Sequence, residues 1–212
     1  MRCSLIAVGL FLLSVSGAFA ACREDVLAAF EKQRAAGQIR MQTSMVSEQG
    51  PISMTVDYIP PDRMHQRVTS KLTQRTRETI LVGPRAWVSE DGKTWTELSV
   101  EQAAEVAEGV RESIGAPPTE FVTFDCLGRT MIDGKPYLGY SIDEAKGKQI
   151  PGQPVKDPPV RILFVDPDTG LPARTIVALP DRIEKPFFRA DYSYPKDLKI
   201  EAPVEQDRQG PH

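Results

Sequence analysis

Apolar and polar residues alternate along most of the chain. From residue 39 onward, apolar side chains recur at every second position, which is the period of a strand with one buried face. Turn-forming pairs such as Gly83-Pro84 and Asp91-Gly92 separate the alternating runs. The pattern predicts about ten or eleven strands, at residues 39–45, 52–58, 63–70, 79–82, 85–89, 94–98, 121–126, 136–143, 161–165, 173–179 and 187–194. Because short turns join neighbouring runs, we expect an antiparallel meander.

Two segments have the spacing of helices instead. Residues 23–36 carry one apolar face, and Gly37 follows where a helix C-terminal cap is expected. Residues 99–114 repeat small apolar side chains every three or four positions, and Ser99 with Gln102 completes a capping box at their start. A meander with one apolar face has to close into a barrel or be covered, so we expect these helices to cover part of the sheet.

The composition is that of a soluble globular protein. Of the 212 residues, 41% are hydrophobic and 26% are charged, which excludes disorder throughout the chain. Residues 144–159 are rich in proline and glycine, and they predict a long loop between two strands. Residues 201–212 lack any periodicity and are expected to be disordered. We therefore predict a single domain over residues 21–200.

The N-terminus has the pattern of a secretory signal peptide over residues 1–20. Arg2 precedes an apolar run at residues 5–13, and small residues follow up to Ala20. The run is shorter than the roughly 20 apolar residues that a membrane-spanning helix requires. We therefore expect cleavage after Ala20, export to the periplasm, and a chain that does not span a membrane.

Cys22 and Cys126 are the two cysteines that follow the predicted cleavage site. Two thiols in an oxidising compartment most simply pair, so a disulfide is the first interpretation. The alternative is a lipid anchor, because residues 19–21 are similar to a lipoprotein cleavage box, in which the following cysteine is acylated. That alternative would leave Cys126 without a partner.

Charge and the chemistry-bearing residues favour binding over catalysis. The formal net charge of −3 gives little attraction for phosphate backbones, so no nucleic-acid partner is expected. His65 and His212 are the only histidines, and neither a metal site nor an activated serine is predicted from them. Asp166 and Asp168 belong to a tight-turn sequence, which accounts for them without an acid–base role. We therefore predict no enzyme activity, no catalytic residue, no cofactor and no metal.

Methionines are concentrated in the first three predicted strands. Flexible thioethers adapt to variable apolar ligands, and a partly filled concavity beneath the helices would use them in this way. The alternative is that they only fill a core. On the binding interpretation, we expect the ligand to contact Met41, Met45, Met54, Val56, Met64, Val68, Trp87 and Val110.

Four short motifs give the chain a family resemblance. They are YIPPDRM at residues 58–64, TILVG at 79–83 leading to AWV at 86–88, DTGLP at 168–172 and KIEAP at 199–203. In order and spacing they resemble the periplasmic lipoprotein-carrier superfamily (LolA/LolB-like), of the outer-membrane lipoprotein-sorting type. The resemblance implies a half-open antiparallel β-barrel covered by short lid helices, whose hydrophobic cavity receives acyl chains.

The resemblance also implies a function and partners. It implies a non-enzymatic periplasmic carrier whose partner is an acyl lipid or a lipoprotein. Related folds serve as envelope-stress sensors that bind proteins, so an envelope protein partner is the alternative. The chain departs from the family at one position, because Ile59 or Pro60 replaces an arginine that helps to hold the lid shut in carriers. Arg63 is nearby but out of register, so the lid lock is not implied.

Overall fold

The computed structural model describes residues 17–48, 50–112, 123–143 and 159–204. Helix α1 spans Gly17–Ala35 and helix α2 spans Val100–Val110. The strands are β1 (Ile39–Ser47), β2 (Gly50–Ile59), β3 (Arg63–Ser70), β4 (Thr76–Val82), β5 (Arg85–Ser89), β6 (Thr96–Glu97), β7 (Thr123–Ile132), β8 (Lys135–Asp143), β9 (Val160–Val165), β10 (Pro172–Ala178) and β11 (Phe188–Ser193). The mainly β fold class predicted from the alternating pattern is confirmed.

All eleven strands belong to one antiparallel sheet, in the order β6-β5-β4-β3-β2-β1-β11-β10-β9-β8-β7. Two consecutive meanders build it, the first from β1 to β6 and the second from β7 to β11. Pairing of β1 with β11, from Arg40 opposite Ser193 to Met45 opposite Phe188, joins the two meanders. Within the described residues, β6 and β7 form the two edges of the sheet, so the barrel is half-open, as expected.

One face of the sheet, called the inner face, carries both helices. Side chains of directly paired residues point to the same face, and one such row crosses six strands from β8 to β2. Its members are Tyr140, Leu163, Thr175, Ala190, Thr43 and Met54. Helix α1 packs over this face mainly at β7 and β10, whereas α2 packs over it at β4 and β5. The helices therefore cover the two ends of one continuous surface.

Helix α2 begins where the capping box predicts. The Ser99 hydroxyl accepts a hydrogen bond from the Gln102 backbone N–H at 3.3 Å, and the Gln102 amide oxygen accepts one from the Ser99 backbone N–H at 3.1 Å. Only Ala103 and Val110 of this helix are buried, because most of its apolar residues are small. The predicted end of the helix at Ile114 lies outside the described residues.

Helix α1 is longer than the sequence predicts, since it begins at Gly17, before the predicted cleavage site. Its buried residues are spaced three or four apart, as one face of a helix requires. They are Cys22, Val26, Ala29 and Gln33. Residues 1–16, which form most of the predicted signal peptide, lie outside the described residues, so the signal peptide stays a prediction.

Strand β6 is shorter than the predicted strand at residues 94–98. The Asp91 carboxylate accepts hydrogen bonds from the backbone N–H groups of Thr94 at 2.7 Å and Lys93 at 2.8 Å. These bonds hold the pKa of Asp91 below its usual value, and the bond from Thr94 has the largest effect. The chain is therefore still turning at residue 94. Residues 144–158 of the predicted long loop and residues 205–212 of the predicted tail lie outside the described residues.

The outer face of the sheet is partly covered by the C-terminal segment. Ile200 is buried there against Ile80 and Trp87. The Arg63 guanidinium donates a hydrogen bond to the Ile200 carbonyl oxygen at 2.9 Å. The KIEAP motif therefore fastens the end of the domain, and Arg63 serves that contact on the face opposite the helices.

A disulfide joins Cys22 of α1 to Cys126 of β7, which confirms the predicted pairing. The two Cα atoms are 5.4 Å apart, and the bridge spans 104 positions of sequence. Because the Cys22 sulfur is engaged in this bond, it is not available for the acylation that the lipid-anchor interpretation requires. The disulfide fixes α1 to one edge of the sheet.

Removing this bridge is expected to destabilise the protein strongly. In the chain-entropy model, closing a loop of this length contributes about 4 to 5 kcal/mol to stability. The double variant Cys22→Ser/Cys126→Ser should therefore unfold at a much lower denaturant concentration. Intact-mass spectrometry checks the bond itself, since the chain purified without reductant should be lighter than the reduced chain by two hydrogens. Free thiols, or acyl groups on Cys22, would contradict the assignment.

Candidate functional site

Six of the residues predicted to contact a ligand share the inner face. Met41 lies opposite Val56, and Met54 lies opposite Val68. The remaining two methionines lie an even number of residues away on β1 and β3, so they point to the same side. This surface, called the inner trough, is formed by Met41, Met45, Met54, Val56, Met64 and Val68.

The inner trough is buried at one end, called the deep end, and partly exposed at the other. Met64, Val56 and Met41 are 2%, 5% and 8% exposed, whereas the other three members are only partly buried. Val110 of α2, also predicted as a contact residue, is buried in the same apolar cluster as the deep end. The partly exposed part of the inner trough is therefore the end where Met45 lies.

The structure separates Trp87 from the other predicted contact residues. Trp87 is directly opposite Ile80 in the β4–β5 pair, and both belong to the outer-face cluster with Ile200. Its neighbour Ala86 has the inner-face position and packs with the residues under α2. Strand alternation alone does not reveal this, because the C-terminal segment that buries Trp87 is remote in sequence.

A cleft of about 280 Å³ lies beneath α2, next to the deep end of the inner trough. Leu81, Ala103 and Val110 contribute to its apolar wall, and Asp62 and Arg111 contribute opposite charges. Ligand sites for whole small molecules usually measure about 300–1,000 Å³. The cleft is therefore sized for a part of a ligand, such as the end of a chain. Sequence spacing indicated Val110 but not Asp62 or Arg111, which meet only in the fold.

Two polar side chains on the inner face lack strong hydrogen-bond partners. Thr43, opposite Met54, is 2% exposed, and its hydroxyl oxygen has no hydrogen-bond partner in the described part of the chain. The Gln66 amide donates to the Met54 sulfur at 3.1 Å, and a thioether is a weak acceptor. These groups can bind a polar part of a ligand without breaking strong bonds within the protein.

The α1 end of the inner face is a filled core. Val26 and Ala29 of α1 pack with Leu163 and neighbouring apolar residues. The Tyr140 hydroxyl donates a hydrogen bond to the Asp25 carboxylate at 3.2 Å. Burial, followed by the charge of Asp25, raises the pKa of Tyr140 to about 12. This phenol therefore stays protonated and keeps its bond to α1 across the physiological pH range.

A second hydrogen-bond chain holds the C-terminal half of α1. The Gln33 amide donates to the Tyr194 hydroxyl at 3.3 Å, and that hydroxyl donates to the Pro172 carbonyl oxygen at 2.7 Å. Burial raises the pKa of Tyr194, so the phenol keeps the proton that this bond requires. Helix α1 is thus anchored by a disulfide, two tyrosines and apolar packing, whereas α2 relies on few buried side chains.

The residues considered for catalysis have structural roles. His65 lies on the outer face, with its Nε2 atom 2.6 Å from the Glu78 carboxylate, in an ion-pair network between β3 and β4. The Asp166 carboxylate accepts hydrogen bonds from the backbone N–H groups of Asp168 and Thr169, both at 2.9 Å, so these aspartates build the turn as predicted. Across the described ranges, no three His, Cys, Asp or Glu side chains are grouped closely enough to hold a metal ion.

Neither described helix is long and apolar enough to cross a membrane.

Known structures share this fold. The lipoprotein LppX from Mycobacterium tuberculosis superposes with a TM-score of 0.58 at 13% identity, over 86% of this chain and 99% of the other. LprF from Mycobacterium bovis superposes with a TM-score of 0.53 at 11% identity, over 87% of this chain and 98% of the other. These likenesses confirm the LolA/LolB-like fold that the sequence motifs predict, and at such identities they concern the fold alone.

A LolA superfamily protein from Nitrosomonas europaea also matches, with a TM-score of 0.31 at 14% identity, over 86% of this chain and 95% of the other. That TM-score is too low to support a conclusion. No protein-family model matches the sequence, and no curated protein matches it.

Helix α2 is expected to open more readily than the strands beneath it. Burial stabilises by about 25 cal/mol per Å² of apolar surface, and α2 buries only Ala103 and Val110. Hydrogen exchange should therefore be faster for the backbone amides of residues 104–110 than for those of β1, which is paired on both sides. Equal protection of α2 and β1 would show that the helix is a fixed part of the core.

Proposed function

We propose that this protein is an exported, non-enzymatic carrier that binds the acyl chain of a lipid or lipoprotein in the inner trough. The observation that carries the proposal is the alignment of four methionines on one face of β1, β2 and β3. These strands lie between the regions where α1 and α2 pack. Soft, flexible side chains in such a position suit an apolar ligand that varies in length and shape.

The dimensions of the inner trough agree with an extended chain. An antiparallel strand rises about 3.4 Å per residue, so the stretch from Ile39 to Met45 is about 20 Å long. That length is comparable to a fatty acyl chain that runs along the inner trough toward the deep end. The cleft beneath α2 would then receive the chain's end, and a loosely packed α2 would let it enter.

Two features support action outside the cytoplasm. The N-terminal sequence has the pattern of a cleavable signal peptide. The Cys22–Cys126 disulfide is of a kind that forms and persists in oxidising compartments such as the periplasm. We therefore place the proposed carrier in the periplasm as a protein without a lipid anchor on Cys22.

Met54→Glu tests the proposal. Met54 is partly exposed, so water can solvate a glutamate there. An acyl chain lying over it would strip that water from the charge, which is costly. We expect the variant to retain its thermal unfolding temperature within a few degrees and to bind a fluorescent fatty acid at least about a hundredfold more weakly.

Thr55→Glu provides the matched control. Thr55 is the next residue of β2 and points to the outer face, opposite Gln42, so its substitution should leave fatty-acid binding unchanged. If Met54 only fills a core, the Met54→Glu protein will unfold, because an unpaired buried charge costs several kcal/mol. Unfolding of Met54→Glu, or folded protein that binds the fatty acid as tightly as before, would contradict the proposal.

A protein-binding module is the second candidate, and strand β7 favours it. This strand is an edge of the sheet and exposes Leu127 by 51% and Met131 by 64%. Edge strands with exposed backbone groups accept an extended segment of a partner protein. Two results together would favour this candidate over the carrier. The wild-type protein would bind no fatty acid, and an envelope protein would bind wild type and Met54→Glu equally tightly.

A further inference from the structure

Three polar residues lie near one another on the inner face, beside the inner trough. Ala190 of β11 lies directly opposite Thr43 of β1 and Thr175 of β10. Tyr192 lies two residues after Ala190 and is therefore on the same face. Thr43, Thr175 and Tyr192 are called the polar recess. Because Met54 lies opposite Thr43 on the other side, the recess adjoins the trough directly.

Thr43 is the member of the recess that points to a ligand. Its side chain is 2% exposed, and its Oγ1 atom has no hydrogen-bond partner in the described part of the protein. Buried hydroxyl groups are nearly always paired, because an unpaired one loses its bonds to water without replacement. A ligand atom that exchanges a hydrogen bond with Thr43 would remove this cost.

Arg161 brings positive charge to the same end of the inner face. It lies opposite Val177 of β10 and two residues before Leu163, so it shares the inner face with the polar recess, and it is exposed at the rim. Burial raises the pKa of the Tyr192 phenol, while the Thr175 side chain and the charge of Arg161 act in the opposite direction. The guanidinium is therefore within electrostatic reach of the recess.

We infer that the inner trough and the polar recess together bind one amphiphile with an anionic head group. The head group hydrogen-bonds to Thr43 and faces Arg161, and the acyl chain lies over Met54 toward the deep end. The inference rests on the proposed function and adds the class of the ligand and its orientation. A carboxylate and a phosphate monoester both provide the required negative charge and acceptor oxygens.

Thr43→Val tests the head-group contact, because valine keeps the branched shape and removes only the hydroxyl. The probes are cis-parinaric acid, which has a carboxylate, and diphenylhexatriene, which has no polar group. We expect Thr43→Val to bind the acid about tenfold more weakly, as for the loss of one charge-assisted hydrogen bond, and to bind diphenylhexatriene as wild type does. Its unfolding temperature should be equal or higher, since an unpaired buried hydroxyl is gone.

Thr55→Val, on the outer face, is the matched control and should bind both probes as wild type does. Arg161→Gln should weaken binding of the acid several-fold, and this loss of affinity should be smaller at high salt. Arg161→Lys should restore most of that loss, because it retains the charge. Displacement of the probe by palmitate and by a monoacyl phosphate distinguishes a carboxylate head group from a phosphate.

Two other results separate the levels of the proposal. If wild type binds both probes and Thr43→Val binds the acid equally tightly, or loses both probes equally, the polar recess does not hold a head group and the carrier function stands. If wild type binds neither probe, the proposed function fails and the inference fails with it.

Discussion

The inner trough depends on the pairing of β1 with β11. Each meander forms by local turns, but only this ladder, from Arg40–Ser193 to Met45–Phe188, joins the two halves into one sheet. It places the methionine-rich strands next to the strand that carries Tyr192. A register slip of one residue would turn Met41 and Met45 to the outer face, because side chains alternate with a period of two.

The two helices divide the inner face into unequal parts. Helix α1 is held by the disulfide, by Tyr140 and Tyr194, and by a filled apolar cluster. Helix α2 contributes two buried side chains and leaves a cleft of about 280 Å³ beneath it. Stability is therefore concentrated on one side and freedom to open on the other. The proposed carrier function requires this division, because a ligand has to enter without unfolding the sheet.

Local pattern predicts the elements of this protein well and its site only in part. Strand period, turn residues and the Ser99 capping box depend on neighbours in sequence, so they are readable directly. The face to which Trp87 points cannot be predicted in this way, because Ile200, which buries Trp87, is more than a hundred positions away in sequence. The polar recess was likewise hidden, since Thr43 and Thr175 meet only across the long-range pairing with β11. The strand period places Thr43 in phase with Met41 and Met45, but it does not show which residues of the remote strands lie beside it.

Native mass spectrometry of the protein, isolated without detergent from a periplasmic extract, tests the proposed carrier function most directly. For wild type, we expect the mass of the disulfide-bonded chain and a second mass that corresponds to the chain with one non-covalently bound lipid. The second mass should be absent for Met54→Glu. The proposed function would be contradicted if wild type showed only the mass of the polypeptide under gentle conditions and gained no mass after incubation with a fatty acid.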